Sequence, residues 1–370
     1  MLFTRLRNIA LLVIGFAVIL IAVFVIVVFN REPLTAVHST IHSSIDRKQC
    51  IQCHAPIAEE WRQSYHFKSL TGSPWKDVRR LGYLKIFNRV RKPCLNCHAP
   101  ANVLDLPHKT RVAADRLDDD QLGVECTPNL LKNAKGVLPA VRSDNPEMGV
   151  DCVSCHVSER GIVGNGKRPN EDHEVLADAR YQDPLKTSAE FCITCHGSTV
   201  HAWEKSSYAT KGVSCLHCHM PLINAPSVAG GPIRLRRSHR FPADKDINMI
   251  RTAIVASIEV TSERRAVVRI KNRGAGHYFP SGGNWLLIYF TIYDSSGKLI
   301  SKERQGLGRE EALLFDFWPF ASEDSRIAPG MQREVSTPLR TVGHGRVEAV
   351  IRYHDWMGIN PTILKLVKSF

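Results

Sequence analysis

Residues 50–54 read Cys-Ile-Gln-Cys-His, and the same Cys-x-x-Cys-His spacing occurs four more times in the chain. The five motifs are Cys50/Cys53/His54, Cys94/Cys97/His98, Cys152/Cys155/His156, Cys192/Cys195/His196 and Cys215/Cys218/His219. Two thiols at this spacing can each add to a vinyl group of one porphyrin, and the adjacent histidine then lies beneath the iron. The motif is therefore typical of covalent haem c attachment, with the cysteines as attachment points and the histidines as proximal iron ligands.

Zinc binding and disulfide formation are the simpler explanations of paired cysteines. Neither explains why a histidine follows every pair. The chain has 16 histidines in 370 residues, so a histidine follows a given cysteine by chance roughly one time in 23. The sequence therefore predicts five haems per chain and a role in redox chemistry.

The N-terminus contains an almost unbroken apolar run, residues 9–29, which is long enough to cross a bilayer as a helix. Arg5 and Arg7 precede it, and the positive-inside rule then puts the rest of the chain on the outer side. A cleaved signal peptide is the alternative, but the run exceeds a normal h-region and no small-x-small cleavage site follows it. We expect residues 1–30 to be a retained anchor in the lipid bilayer. The protein is then predicted to be a single-pass inner-membrane protein with its soluble domains in the periplasm.

The haem motifs all fall between residues 50 and 219, which leaves roughly 40 residues per haem with their flanks. This is too little chain to build a side-chain core around each haem, so the haems themselves must form the core. We therefore predict a mainly α-helical and irregular multihaem cytochrome c domain over residues 31–245.

The C-terminal part changes to alternating apolar and polar residues separated by turn signals such as Asp294-Ser-Ser-Gly297. Strands are predicted at residues 253–260, 265–271, 285–293, 299–304, 334–339 and 347–353. Several short antiparallel strands in this length of chain indicate an all-β, immunoglobulin-like sandwich over residues 246–370.

The formal net charge is +13. Five haems would add about −10 through their propionates, which leaves about +3 in the reduced protein and about +8 with ferric irons. Nucleic-acid binding is therefore not implied, and we expect none. A residual positive face would suit an acidic redox partner.

The haem region repeats itself. Trp61 stands seven residues after His54 and Trp203 seven after His196, each followed at the same spacing by Ser64 or Ser206. The two segments look like copies of one haem-binding unit.

A second recurrence is Gly-Val-x-Cys, which leads into Cys152 and Cys215 and occurs again at residues 123–126. After Cys126 the second cysteine and the histidine are missing. Cys126 is either an ordinary buried thiol or the remnant of a degenerate haem motif, and we expect it to carry no haem.

Residues 50–66, 149–156 and 212–221 together resemble the cytochrome c554 family, which is typified by the tetrahaem electron acceptor of hydroxylamine oxidoreductase in ammonia oxidisers. The resemblance covers roughly residues 46–221, and residues 272–282 are similar to a C-terminal β-domain attached to many such cytochromes. A fifth motif, the predicted anchor and the β-domain distinguish this chain from the type member.

A haem that only passes electrons is commonly capped by a second imidazole. The resemblance implies that His66 is such a distal ligand, because the family places one in its Trp-x-x-Ser-x-His element. Tyr208 holds the equivalent place in the second copy, so that unit must take its ligand elsewhere, and nearby His201 is a candidate.

Further candidate distal ligands are His239 and His277, which share the string His-x-Phe-Pro. His277 lies in the predicted β-domain and could cap a haem across the domain boundary. His173 is a weaker candidate. For each of them an ordinary turn or surface histidine is the alternative.

Two functions remain open. We expect a non-catalytic electron-transfer protein that passes electrons from a quinol module or periplasmic dehydrogenase to a redox partner protein, with no catalytic side chains. The alternative is a multihaem oxidoreductase acting on a small nitrogen or sulfur species at one five-coordinate haem. The chain lacks the Cys-x-x-Cys-Lys variant that is typical of the catalytic haem in pentahaem nitrite reductases.

Overall fold

The computed structural model describes residues 47–70, 97–101, 148–166, 173–243, 246–282, 284–314, 318–339, 343–355 and 360–370, together with Gly15. The described residues from Arg47 onward belong to one compact unit. Helices dominate this unit as far as residue 219, and antiparallel strands dominate it from residue 254. The predicted division into domains at residues 31–245 and 246–370 stays a prediction.

The helical part consists of short segments. Its α-helices are α1 Arg47–Cys53, α2 Ala55–Gln63, α3 Tyr65–Lys68, α4 Cys152–His156, α5 Ala179–Gln182, α6 Pro184–Glu190, α7 Gly197–Glu204, α8 Ser207–Thr210 and α9 Cys215–His219. A 3₁₀ helix spans Cys192–Thr194, and α10, Ile247–Ala253, leads into the strands.

Side-chain caps begin several of these helices. Asp151 accepts a hydrogen bond from the Ser154 N–H at the start of α4, and Ser64 accepts one from the Phe67 N–H at the start of α3. Helices this short are marginal by themselves in water. Their stability therefore depends on what they pack against.

The prediction of a membrane anchor is wrong. Among the described residues no helix is long and apolar enough to cross a bilayer. The nine residues of α2 extend about 14 Å at 1.5 Å per residue, against the roughly 30 Å of a hydrocarbon core. Residues 9–29 lie outside the described residues except for Gly15. The prediction rested on the apolar composition of the run, which does not by itself show that the chain forms a helix long enough to span a bilayer. The described fold is a helical part followed by a β-rich part, and the single-pass inner-membrane location is withdrawn with the anchor.

Two small sheets accompany the helices. A three-stranded sheet consists of β1 Val157–Ser158, β2 Gly161–Gly164 and β3 Leu176–Ala177. An antiparallel hairpin consists of β4 Leu222–Pro226 and β5 Ile233–Arg237.

The β-rich part contains two larger antiparallel sheets and a further hairpin. Their strands are β6 Ile254–Val260, β7 Arg265–Asn272, β8 Trp285–Asp294, β9 Leu299–Leu307, β10 Arg309–Leu314, β11 Trp318–Asp324, β12 Gln332–Pro338, β13 Gly345–His354 and β14 Thr362–Ser369. One sheet has the order β12-β7-β6, the other has the order β14-β13-β8-β9, and β10 pairs with β11.

The two larger sheets share one apolar core. Alternate residues of β8 are fully buried from Leu286 to Ile292, and β13 contributes Val347, Ala349 and Ile351 from the same sheet. The β12-β7-β6 sheet contributes Val268 and Ile270 of β7 to the same cluster. The period of two places every second side chain in this core. Two packed antiparallel sheets form a sandwich architecture, while the immunoglobulin-like assignment stays a prediction.

We expect Ile351→Ala to lower the free energy of unfolding by about 2–5 kcal/mol, because it leaves a cavity beneath a central strand. Ile351 is 0% exposed, whereas Ile300 on β9 is 39% exposed. Ile300→Ala is the matched control and should cost less than about 1 kcal/mol. Urea unfolding followed by circular dichroism measures both, and equal losses would contradict the shared core.

Candidate haem-binding site

The Cys-x-x-Cys-His motifs lie on short helical turns. Helix α1 carries the two cysteines of the first motif, α4 and α9 each carry a whole motif, and the 3₁₀ helix begins at Cys192. Residues three apart on a helical turn lie on the same side, so both thiols of a motif can reach one ligand. In the second motif Cys97 and His98 are described, and Cys94 lies outside the described residues.

The fourth motif departs from the others, because its cysteines do not lie together on one α-helix. Cys192 begins the 3₁₀ helix, whereas Cys195 lies just after its last residue, Thr194. The Cys192 carbonyl accepts the Cys195 N–H at 3.2 Å and the His196 N–H at 2.8 Å. These bonds close a single turn around the motif. Haem attachment at Cys192 and Cys195 stays a prediction that this turn permits.

The motif cysteines that the structure describes form no disulfide and belong to no metal-binding cluster. Each of the nine described cysteines is a thiol rather than half of a disulfide. No group of three or more His, Cys, Asp or Glu in the described part of the chain could hold a metal ion, whereas a structural zinc site needs four such ligands. The arrangement fits thiols that attach to a bound cofactor.

The proximal histidines have one ring nitrogen fixed by the backbone. The Nδ1 atom faces a carbonyl oxygen in four of them: His54 with Ser227 at 2.9 Å, His98 with Ser69 at 3.1 Å, His156 with Val163 at 3.3 Å and His219 with Pro242 at 2.8 Å. A carbonyl only accepts, so Nδ1–H donates and Nε2 is left without a proton. This tautomer can bind a metal through Nε2, and the carbonyl fixes the orientation of the ring.

Four proximal histidines each lie across from a second histidine. The ring centroids are 6.0 Å apart for His54 and His173, and 6.3 Å apart for His196 and His66, for His156 and His239, and for His219 and His277. An imidazole nitrogen binds a metal at about 2 Å, and its ring centroid lies roughly 1 Å behind it. Two rings on opposite sides of one iron therefore have centroids about 6 Å apart. The residues present fit an iron held between two imidazoles at four motifs.

The other candidate residues lie elsewhere. His201 has its Nδ1 atom 3.8 Å from a carboxylate oxygen of Glu204, one helical turn away. In the sequence, His98 stands between residues 71–96 and residues 102–147, and both stretches lie outside the described residues, Cys126 among them.

Burial keeps several of these imidazoles neutral. It lowers the pKa of His66 to about 3, and the nearby His196, His219 and His98 add to the effect. It also lowers the pKa of His219 and of His239 to about 4. The neutral ring is the form that ligates metals.

Two charged residues that sequence reasoning missed hold the segment that carries His239. The Glu60 carboxylate accepts the backbone N–H of His239 at 2.8 Å and two hydrogen bonds from Arg236 at 2.7 and 3.1 Å. Burial alone would raise the pKa of Glu60, but the hydrogen bonds from Arg236 and His239 outweigh it and the pKa lies below its ordinary value. No sequence signal links Glu60 to residues so distant in the chain.

A second missed pair joins two motif helices. Arg47 in α1 donates its Nε–H to Asp151 at 2.6 Å, and both side chains are buried. Asp151 also accepts from the N–H and the hydroxyl of Ser154, both at 3.0 Å. The position of Asp151 directly before Cys152 is a helix N-cap signal that could have been found.

The repeated Trp-x-x-Ser elements have the same contacts in both copies. The indole N–H of Trp61 donates to the Val150 carbonyl and that of Trp203 to the Val213 carbonyl, both at 2.8 Å. Both valines lie two residues before the first cysteine of a motif. The duplication seen in the sequence is therefore also present in the structure.

Equivalent backbone hydrogen bonds also occur in both copies. The Val150 N–H donates to the His66 carbonyl at 2.8 Å, and the Val213 N–H donates to the Tyr208 carbonyl at 2.9 Å. Tyr208, which stands where the first copy has His66, donates its hydroxyl to the Arg273 carbonyl in the β-rich part. The second copy thus uses this position to contact the strands.

Residues 49–128 match the family model described as cytochrome c554 and c-prime. A penta-heme cytochrome c552 from Thermochromatium tepidum has a similar fold, with a TM-score of 0.55 and 17% identity over 90% of this chain and 100% of that chain. The protein is a multihaem c-type cytochrome. The family model matches residues 49–128, a shorter stretch than residues 46–221, over which the motifs resemble the family.

Other similarities concern short stretches. The putative ApaA protein from Bordetella pertussis has 16% identity and a TM-score of 0.18 over 31% of this chain and 87% of its own. A superoxide reductase from Nanoarchaeum equitans has 11% identity and a TM-score of 0.16 over 33% and 92%. Scores this low carry no information on the function of the cytochrome. No curated protein matches it.

We expect Arg47→Leu to lower the free energy of unfolding of the holoprotein by about 3–5 kcal/mol, because it leaves the Asp151 carboxylate buried without its cation. The double variant Arg47→Leu/Asp151→Asn removes that charge and should lose less. Guanidinium unfolding followed by circular dichroism makes the comparison. A double variant no more stable than Arg47→Leu would show that the ion pair is not the source of the effect.

Proposed function

We propose that this cytochrome carries electrons along five covalently bound haems between redox partner proteins, in a compartment outside the cytoplasm. The observation that carries the proposal is the set of four proximal histidines that each face a second imidazole at the distance one iron needs. An iron held this way stays six-coordinate and low-spin and changes its geometry little with oxidation state. Covalent haem attachment takes place outside the cytoplasm, which supports the compartment.

The proposed axial pairs follow from the ring separations. They are His54 with His173, His196 with His66, His156 with His239, and His219 with His277. The cysteines of each motif would attach the porphyrin, and the haem would supply one-electron redox chemistry. Backbone carbonyls would fix the orientation of the histidine ligands.

Motif segments contact each other in the described part of the chain. Arg47 of α1 donates to Asp151, which directly precedes the third motif, at 2.6 Å. This hydrogen bond makes the first motif a neighbour of the third.

Two further contacts extend this order. The Tyr181 hydroxyl donates to the Cys155 carbonyl of the third motif, and the Tyr181 ring centroid lies 5.2 Å from that of Phe191, which directly precedes the fourth motif. Cys192 of the fourth motif and Cys215 of the fifth pack against the same apolar cluster. These contacts support an order in which the third motif neighbours the fourth and the fourth neighbours the fifth.

The second motif contacts the segment that carries His66. The Ser69 hydroxyl, three residues after His66, donates to the His98 carbonyl at 2.7 Å. An oxidoreductase acting on a small nitrogen or sulfur species would need one open iron. With imidazole pairs at the other four motifs, that iron would have to be the one bound by His98.

We expect the purified holoprotein to contain five haems per chain, because every motif has both thiols and its histidine. A pyridine haemochrome assay against protein mass measures the ratio. Cys94→Ser/Cys97→Ser should reduce it to four. A wild-type ratio below five would contradict the proposed count.

We expect His66→Ala to turn one haem high-spin while all covalent attachments remain, because only the iron above His196 loses its second imidazole. His201→Ala is the matched control. His201 lies on α7 beside Glu204, and its replacement should leave the spin state of every haem as in the wild type. Electron paramagnetic resonance of the oxidised protein distinguishes the two, and a low-spin spectrum in the His66 variant would remove its ligand assignment.

Carbon monoxide extends this test to the choice of function. If the protein only transfers electrons, the reduced wild type should bind carbon monoxide at no more than one haem, because a six-coordinate iron has no free coordination position. Strong binding at one haem together with turnover of hydroxylamine or nitrite would support the oxidoreductase instead.

A further inference from the structure

Residues 236–242, which include the end of β5 and the irregular chain after it, contact histidines of more than one motif. We call this stretch the ligand segment. It carries His239, whose ring centroid lies 6.3 Å from that of His156 in the third motif. The Arg237 carbonyl faces Nδ1 of His239 at 3.2 Å. Because a carbonyl only accepts, Nδ1–H donates and Nε2 is free to bind a metal.

The ligand segment also contacts histidines of the fourth and fifth pairs. The Phe241 ring centroid lies 4.4 Å from that of His66, which faces His196 of the fourth motif. The Pro242 carbonyl faces Nδ1 of His219, the motif histidine of the fifth, at 2.8 Å. The geometry of three histidine pairs therefore depends on where this one segment lies.

The backbone of the ligand segment is strained at Phe241. Its φ is +46°, in the left-handed region that a bulky side chain rarely adopts. Such a conformation persists only where surrounding contacts hold the chain in place. The segment therefore needs an anchor.

Glu60 on α2, the helix that follows the first motif, provides this anchor. Its carboxylate accepts from both terminal nitrogens of Arg236, at 2.7 and 3.1 Å, from the His239 N–H at 2.8 Å and from the Ser238 hydroxyl at 3.4 Å. The Arg236 and Glu60 side chains are 10% and 14% exposed, and a bound haem would only bury them further. Two parallel hydrogen bonds between an arginine and a carboxylate fix direction as well as distance.

We propose that the Glu60–Arg236 ion pair positions axial histidines of the third, fourth and fifth motifs, and that it acts through the ligand segment. Glu60 binds no iron and is a positioning residue. The proposal rests on the axial pairs proposed above, and it makes the helix of the first motif the reference point for ligands of three others.

The test uses electron paramagnetic resonance of the oxidised full holoprotein, because the axial imidazoles and their orientation set the signal of each low-spin haem. His239→Ala, His66→Ala and His277→Ala each remove one distal ligand and so identify the signal of one haem. Glu60→Ala should shift all three of these signals while the haem content per chain stays that of the wild type.

Glu59→Ala is the matched control on the same helix. The Glu59 side chain is 66% exposed and lies 3.6 Å from Arg62, so its loss should leave the spectrum as in the wild type. Glu60→Gln keeps an oxygen that accepts the His239 N–H and should shift the signals less than Glu60→Ala.

A further variant separates positioning from loss of the fold. Glu60→Ala leaves the buried Arg236 without its partner, which can destabilise the whole protein. Glu60→Leu/Arg236→Met leaves no unpaired buried charge and should shift the same three signals. Circular dichroism and the haem content then serve as checks that the variant is folded.

The outcomes distinguish this proposal from the function on which it rests. If the three histidine variants leave every haem low-spin, the axial pairs fail and the positioning role fails with them. If those variants lose their signals but Glu60→Ala matches Glu59→Ala, only the positioning role is overturned. A Glu60→Ala spectrum in which only the His239 signal shifts would also overturn it, because the ion pair would then act on one ligand alone.

Discussion

The proposed function puts one constraint on the helical part, which is that two imidazoles from distant parts of the chain face each other at the distance that a single iron needs. His54 faces His173, and His219 faces His277 of the β-rich part. The helices between them are too short to be stable by themselves. Under the proposed function, iron–imidazole bonds and thioethers would act as the long-range contacts that side chains supply in ordinary domains. Folding of this part would then be coupled to haem attachment, as folding is coupled to metal binding in small metal-dependent domains.

Local spacing is what predicts the attachment residues, because attachment needs two thiols and a histidine within one turn, and the assignment stays a prediction. The tertiary fold decides which distal histidine faces which motif histidine, and residue spacing along the chain does not predict it. The sequence favoured His201 over His173 on the basis of chain proximity, whereas the structure puts His173 beside His54 and His201 beside Glu204. The positions of Glu60 and Arg47 could not be predicted, since each acts on residues far away in the chain.

The strands too were predicted where burial produces a clear local pattern and missed where that pattern is weak. The predicted strands overlap six observed ones, because burial on one face gives each an apolar alternation, as in β8 and β13. Strand β14 was not predicted. It lies at the edge of its sheet, and most of its last four residues are exposed, so its pattern of burial is weak. The N-terminal run gives a different error: its apolar composition predicted a membrane-spanning helix, whereas no helix in the described part of the chain is long and apolar enough to cross a bilayer.

The repeated Trp-x-x-Ser element joins equivalent positions by connections of very different length. In both copies one backbone hydrogen bond closes the connection, from the Val150 N–H to the His66 carbonyl and from the Val213 N–H to the Tyr208 carbonyl. Residues 209–212 form the connection in one copy and residues 67–149, which contain a complete haem motif, form it in the other. Loop entropy grows only logarithmically with length, so the longer connection costs about 3 kcal/mol more. The element therefore tolerates an insertion that adds a whole further motif without changing the contacts on either side of it.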